Sequence, residues 1–267
     1  MNKKFGMLPF FIKENFFQAP LLLWIIIVFI TSFIIITARI EFHNSNYFTI
    51  YIFNQPFPVA DNGSIWIGYL YNILLMLCII AFPKPILEMI DKKRISLILS
   101  KPVSRNNFIL QNIISVAVCL YLYVLIAAFF FSITAIVKFS TFPIYFILSL
   151  LILPLILTAV YIIILQVTLQ FNSFGLSVLV LIIYCFLITK ALANRTSFFT
   201  MLGIKNELIK RIVDIIFYVT PRVSESIDIL FFILKQKAIN LCRLLGIMFS
   251  FVPISLVLIR HINKRQF

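Results

Sequence analysis

The sequence predicts an all-α integral membrane protein: six transmembrane helices, an N-terminal interfacial helix, and a cytoplasmic amphipathic helix between spans 2 and 3. Two observations carry this. Apolar residues make up 62% of the 267 positions and charged residues only 12%, against roughly 45–50% and about 25% in soluble domains. The apolar residues also gather into charge-free runs near the ~20 residues that a helix needs to cross a ~30 Å hydrocarbon layer. A soluble fold of this length has too little interior for so many Phe, Ile and Leu side chains.

The elements follow in order. Phe5 to Phe17 mixes Phe and Ile with Lys13 and Glu14, a pattern for a short helix lying in the membrane interface. No charge interrupts Pro20–Ala38, Ile65–Pro83, Phe108–Val137, Phe142–Leu169 or Phe174–Thr189. A sixth uncharged run, Leu244–Ile259, lengthens at its N-terminal side if Arg243 snorkels to the interface. The spans therefore fall at about 19–38, 65–83, 108–137, 142–169, 174–192 and 240–259 of a single transmembrane domain covering 1–267. Lipid offers backbone groups no partners, and these runs lack the alternation of barrel strands, so helix is the state they take. The first span is not read as a cleaved leader, because it has full span length and no small-x-small site follows it. Pro154 should bend the fourth span.

The net charge of +14 is spread over loops and tails, which argues against a nucleic-acid surface and for the excess of Lys and Arg found in cytoplasmic loops. Lys3, Lys4 and Lys13 precede the first span. Lys84, Lys92, Lys93, Arg94, Lys101 and Arg105 follow the second, and Arg260, Lys264 and Arg265 follow the last. The segment from Arg39 to Ser64 has one arginine against Glu41 and Asp61. Both termini and the loop 84–107 are thus expected in the cytoplasm of a cell bounded by this membrane, with the first loop outside. By parity 193–239 is extracytoplasmic, although Arg195, Lys205, Lys210, Arg211, Arg222, Lys235 and Lys237 pull the other way. Within it, Arg211–Tyr218 and Ser226–Leu234 read as amphipathic or re-entrant helices around Pro221.

Several chemistries are missing. None of the six glycines precedes a lysine, so the phosphate-cradling P-loop is not written here. His43 and His261 stand far apart, without the spacing of a metal site. No Asp or Glu falls inside a predicted span, where a proton- or sodium-coupled carrier usually keeps one. Cys78, Cys119, Cys185 and Cys242 read as packing residues. No catalytic, cofactor-binding or metal-binding residue is assigned, and the chain is not expected to be an enzyme. Asn72, Thr134, Thr158 and Gln166 lie in spans and are read first as helix-bonding groups, second as lining of a path.

The loop after the second span is the most informative stretch. Ile86–Leu99 sets apolar residues such as Ile90 and Leu97 among charges, which predicts a short amphipathic helix at the membrane surface. Pro102 ends it, and Ser104 is placed to cap the helix that leads into the third span. Leu99-Ser100-Lys101-Pro102-Val103-Ser104-Arg105 resembles the Leu-Ser-Lys-Pro-Val/Ile-Ser-Arg stretch of ABC-2 type permeases, the membrane subunits of ATP-binding-cassette exporters. In that family the stretch follows an acidic coupling helix between spans 2 and 3, loosely matched here by Glu88 and Asp91. The N-terminal amphipathic segment, the six spans and Pro221-Arg-Val-Ser-Glu225 in the connection between spans 5 and 6 add to the likeness. Lys93 and Arg94 stand where members often have Gly-Thr, and Gln111 and Asn112 where they often have Gly-Lys.

The resemblance implies a permease subunit that moves a substrate, by export, across the cytoplasmic membrane. It would pair with a second permease subunit, identical or related. A separate cytoplasmic ATPase, holding the ATP and Mg, would dock on Glu88, Asp91, Lys92, Lys93, Arg94, Ser100, Lys101, Pro102, Val103, Ser104 and Arg105. Lys101 and Arg105 would make polar contacts and Pro102 would set the geometry. The alternative is a non-transporting membrane scaffold or assembly factor, whose loops bind other proteins. The sequence does not specify the substrate.

Overall fold

The computed structural model describes residues 7–44, 47–52, 55–60, 64–90, 105–139, 144–203, 206–234 and 241–264. Five helices among them are long and apolar enough to cross a membrane: Ala19–Thr37, Ile67–Glu88, Asn107–Lys138, Ile144–Phe171 and Phe174–Ala193. The protein is a multi-pass membrane protein.

Helix α1 (Leu8–Phe16) opens with Pro9 in its first turn, a position where the missing N–H costs nothing. It packs along α5 (Arg105–Phe139), with Phe11 edge-on to Phe108 and Phe16 stacked on Tyr123. Helix α2 (Ala19–Thr37) begins the same way, with Pro20, and is the first span. Its Leu21, Trp24, Val28, Ser32 and Ile35 are buried, a helical stripe set against α3 (Ser64–Ala81) and α5. Leu23, Ile26, Phe29, Ile30 and Phe33 on its other side are exposed, as a lipid-facing surface is.

The first loop departs from the all-α expectation. Strands β1 (Arg39–Asn44), β2 (Tyr47–Ile52) and β3 (Gln55–Ala60) form an antiparallel sheet in the order β1-β2-β3. Glu41 pairs with Thr49, and Thr49 with Pro58. The segment is dense in Phe, Tyr, Thr and Ile, residues suited to a pleated surface. Pro56 and Pro58 are tolerated because β3 is an edge.

The second span runs through α3 and, past Phe82, into α4 (Pro83–Ile90). Helix α4 does not simply lie on a surface: Phe82, Pro83, Pro85 and Ile86 are buried, and α4 packs on α6 (Ile144–Phe171) and α7 (Phe174–Ile182). The remainder of the predicted coupling helix lies outside the described residues. Helix α6 is the hub, touching α3, α4, α5 and α7. Pro154 sits inside α6 without ending it. Asn172 then takes a positive φ of 50°, a left-handed turn that Asn accepts more readily than most residues, and two residues reverse the chain into α7.

The fifth span is not uniformly α-helical. A π-helical stretch, Ile183–Ile188, separates α7 from α8 (Thr189–Ala193). Three helices then occupy the connection: α9 (Arg195–Met201), α10 (Glu207–Val219) and α11 (Val223–Leu234). The Asn206 side chain caps α10 by accepting from the Leu208 amide at 2.9 Å. The predicted sixth span divides into α12 (Leu241–Ser250, 10 residues) and α13 (Val252–Lys264, 13 residues). Pro253 cannot donate to the preceding turn, and the break falls at Phe251. Each piece alone is shorter than the ~20 residues of a full span.

Candidate functional site

Two polar clusters stand out, at opposite ends of the bundle. The first flanks the loop singled out from sequence. Of its predicted residues, Glu88 is half-buried on α4 and Arg105 opens α5. Asp91, Lys92, Lys93, Arg94, Ser100, Lys101, Pro102, Val103 and Ser104 lie outside the described residues. The two ends of the loop are nevertheless joined within the bundle. Phe82, where α3 passes into α4, meets the Tyr161 ring of α6 edge-on at 5.0 Å. The Tyr161 hydroxyl accepts from the Asn112 side-chain amide on α5. The Asn15 amide on α1 donates to Asn112 Oδ1 at 3.1 Å and to Ser115 Oγ at 2.7 Å. Ser115 in turn donates to the Asn112 carbonyl at 2.7 Å, and Gln111 Oε1 accepts from the Met7 amide at 3.3 Å.

Asn15, Gln111, Asn112 and Ser115 are all buried. In a low-dielectric interior a satisfied network of this kind fixes one arrangement, because any departure strands a desolvated polar group. It ties α1, the entry to the loop and the exit from it to one tyrosine on the hub. In the sequence Gln111 and Asn112 stand out only as departures from a motif. The clue was an Asn at residue 15 in an apolar helix, eight residues after Met7, facing a Gln-Asn pair at the start of a span.

The second cluster lies where α3 and α6 begin and the fifth span ends. Helix α10 runs into the bundle, Thr220–Arg222 turns, and α11 runs back out between α3 and α6. The direction follows from the contacts. The start of α11 meets Tyr71, while Ile227 and Phe231 lie beside Gly68, nearer the start of α3. Tyr71 is seven residues past Ser64, so the turn sits about 10 Å inside the level where α3 begins. The two helices flank a turn at Pro221, where the sequence reads as amphipathic or re-entrant helices.

Four neighbouring elements hold the turn. The Tyr71 hydroxyl donates to the Val223 carbonyl at 2.8 Å and lies 3.0 Å from Ser226 Oγ. Tyr184 donates to the Pro221 carbonyl at 3.0 Å. Ser224 donates to the Thr189 carbonyl at 2.9 Å, and the Arg222 amide donates to Ser250 Oγ on α12 at 3.1 Å. Further along α11, Ser149 of α6 donates to the Leu230 carbonyl at 3.1 Å. The π-helical stretch makes part of this possible. Residues five apart in an α-helix point about 140° away from one another, whereas i→i+5 bonding stacks them. Tyr184 and Thr189, five apart, therefore both reach the turn.

The side chain at the tip is Arg222, 9% exposed. Its guanidinium lies 4.2 Å from the Phe217 ring centre and 4.8 Å from that of Tyr218, and 3.7 Å from Glu225. Arg195 also lies over Phe217, at 3.7 Å, and is paired with Asp214. One ring thus carries two guanidinium groups, each with its own carboxylate, so the cluster carries no net charge. Gly246 of α12 leaves the room that Arg222 needs, since a Cβ there would lie 3.3 Å from Nη1.

Among the described residues no group of three or more His, Cys, Asp or Glu could hold a metal ion. Compared with protein-family models, curated proteins and solved structures, the chain matches none.

Proposed function

We propose that this chain is the membrane-spanning subunit of an ABC-2 type exporter, carrying an unidentified substrate across the cytoplasmic membrane with ATP hydrolysed by a separate subunit. The reading rests on Leu99–Arg105 in the loop between the second and third spans. Support comes from the polar cluster beneath that loop. A push delivered at 91–104 would reach α3 through Phe82 and α5 through Asn112, and both converge on Tyr161. Force applied to the loop would therefore move several spans together, as a docked ATPase requires.

In this reading α12 and α13 together make the sixth crossing. Both termini and the loop 84–107 face the cytoplasm, and the sheet and the re-entrant hairpin face outside. Two copies, or this chain and a related one, enclose the path. Lys101 and Arg105 contact the ATPase, and Pro102 sets the turn between them.

The test is a tagged purification in mild detergent, with co-purifying proteins identified and ATP hydrolysis assayed, for the parent and for Pro102→Ala with Arg105→Glu. A P-loop ATPase that accompanies the parent, and is lost or uncoupled in the variant, supports the exporter. If the parent brings down no ATPase and native membranes show no ATP turnover linked to it, the exporter is wrong and a membrane scaffold takes its place.

A further inference from the structure

Helix α10 wears its amphipathicity inside out. Leu208, Ile212, Ile215 and Val219 recur at i, i+4, i+7 and i+11, a single apolar stripe. In a helix packed on a protein core that stripe faces inward. Here all four are exposed, Leu208 by 65% and Ile215 by 63%, and Ile216 beside them is exposed too. The one buried side chain of α10 is Phe217, held beneath the Arg195 and Arg222 guanidinium groups. The stripe thus points away from the protein body.

The border of the stripe carries interfacial chemistry. Arg211 and Tyr218 lie together on the polar side, both exposed. The other charges of α10 are engaged, Lys210 with Glu207 at 2.8 Å and Asp214 with Arg195. Among the described residues Arg211 is left with no ion-pair partner. A cation at the rim of an aliphatic stripe is what a helix needs to rest near the headgroup level with its apolar face among acyl chains. The position agrees, because α10 slopes from the end of the bundle to a turn about 10 Å inside it. A second copy of the chain is a poorer occupant. Five aliphatic side chains fall well short of the roughly 20–30 residues per side that a stable protein interface uses.

We propose that α10 is seated in the lipid leaflet at the sheet end of the bundle, with its Leu208–Val219 stripe against acyl chains and Arg211 on the headgroup of an anionic phospholipid. The inference needs only the membrane reading and stands or falls apart from the exporter.

The test places Trp at Ile215, and separately at Val219, in a Trp24→Phe, Trp66→Phe background, in nanodiscs of lipid brominated on the acyl chains. Phe29→Trp, on the exposed face of α2, is the reference. The expected result is loss of emission matching the reference at both positions. The loss should deepen when phosphatidylglycerol replaces phosphatidylcholine, and Arg211→Gln should remove that deepening. Emission that resists quenching at both positions overturns the proposal, and so does dimer crosslinking through Ile215→Cys in the same discs. Quenching that ignores headgroup charge removes the anionic-lipid assignment to Arg211.

Discussion

The Tyr71 hydroxyl donates to the Val223 carbonyl at 2.8 Å, across 152 positions of sequence. One phenol thus pins the start of α11 to the second span through a carbonyl of its first turn. Tyr71→Phe keeps the ring and removes the bond. The expected loss is about 0.5–1.5 kcal/mol for the bond. A lower thermal midpoint in detergent, with faster proteolysis between α9 and α11, would show it. An unchanged midpoint would mean that Ser226, which also donates to this carbonyl at 2.6 Å, suffices.

Arg222 and Glu225 should behave as a pair. Removing one partner of a buried ion pair costs about 3–5 kcal/mol, while replacing both with apolar residues of similar size is often close to neutral. Arg222→Met and Glu225→Leu are each expected to lower folded yield and thermal midpoint, and the double variant to recover much of the loss. A double variant as poor as the sum of the singles would show that the stacking of Arg222 on Phe217 and Tyr218, rather than the charge pair, holds the turn.

Glycine substitutions should separate two helices. Ala in place of an interior helical Gly is worth about 1 kcal/mol in helix propensity. At Gly68 the nearest atom to a new Cβ is 3.6 Å away, ordinary contact, so Gly68→Ala should be neutral or stabilising. At Gly246 the new Cβ would press on Arg222 Nη1 at 3.3 Å, against a guanidinium already fixed between Phe217 and Glu225. Gly246→Ala should forfeit the propensity gain, giving a midpoint below that of Gly68→Ala.

In the cluster of Asn15, Asn112 and Tyr161, single changes should cost more per residue than a complete replacement. Asn112→Leu strands groups of Asn15 and Tyr161, at about 1–3 kcal/mol for each buried group left unpaired. Asn15→Leu, Asn112→Leu and Tyr161→Phe together should be more stable than Asn112→Leu alone, a non-additivity read from midpoints across the cycle. If the exporter reading holds, the triple variant should also bind the ATPase while transmitting its motion poorly.

The spans were legible because lipid imposes one rule on every turn of a crossing helix. The run predicted at 142–169 is the helix Ile144–Phe171, and that at 19–38 is Ala19–Thr37. Pro221 marked the turn because it stands between two amphipathic stretches, and proline disfavours a helix running on through it. Partnerships could not be read in the same way. Tyr71, Tyr161 and Tyr184 look like any aromatic residue in a span, and only the packing of distant helices gives their hydroxyls a carbonyl or an amide. The sheet in the first loop was missed because attention to span length leaves short alternating segments unscored. The division of the sixth run at Phe251 was missed because hydropathy ignores the backbone donor that Pro253 lacks.

The π-helical stretch in the fifth span also has a meaning in chain length. It is where the span holds one residue more than an α-helix of the same rise would need. Excising a single residue from Ile183–Ile188 would let the span close as a uniform α-helix of nearly the same rise, with Tyr184 and Thr189 then four apart and still on one face. The same excision in an α-helical part of a span would swing everything beyond it by about 100°. The spare residue therefore acts as slack in the fifth span, and a single-residue deletion within these six positions should be milder than one in the α-helical turns on either side.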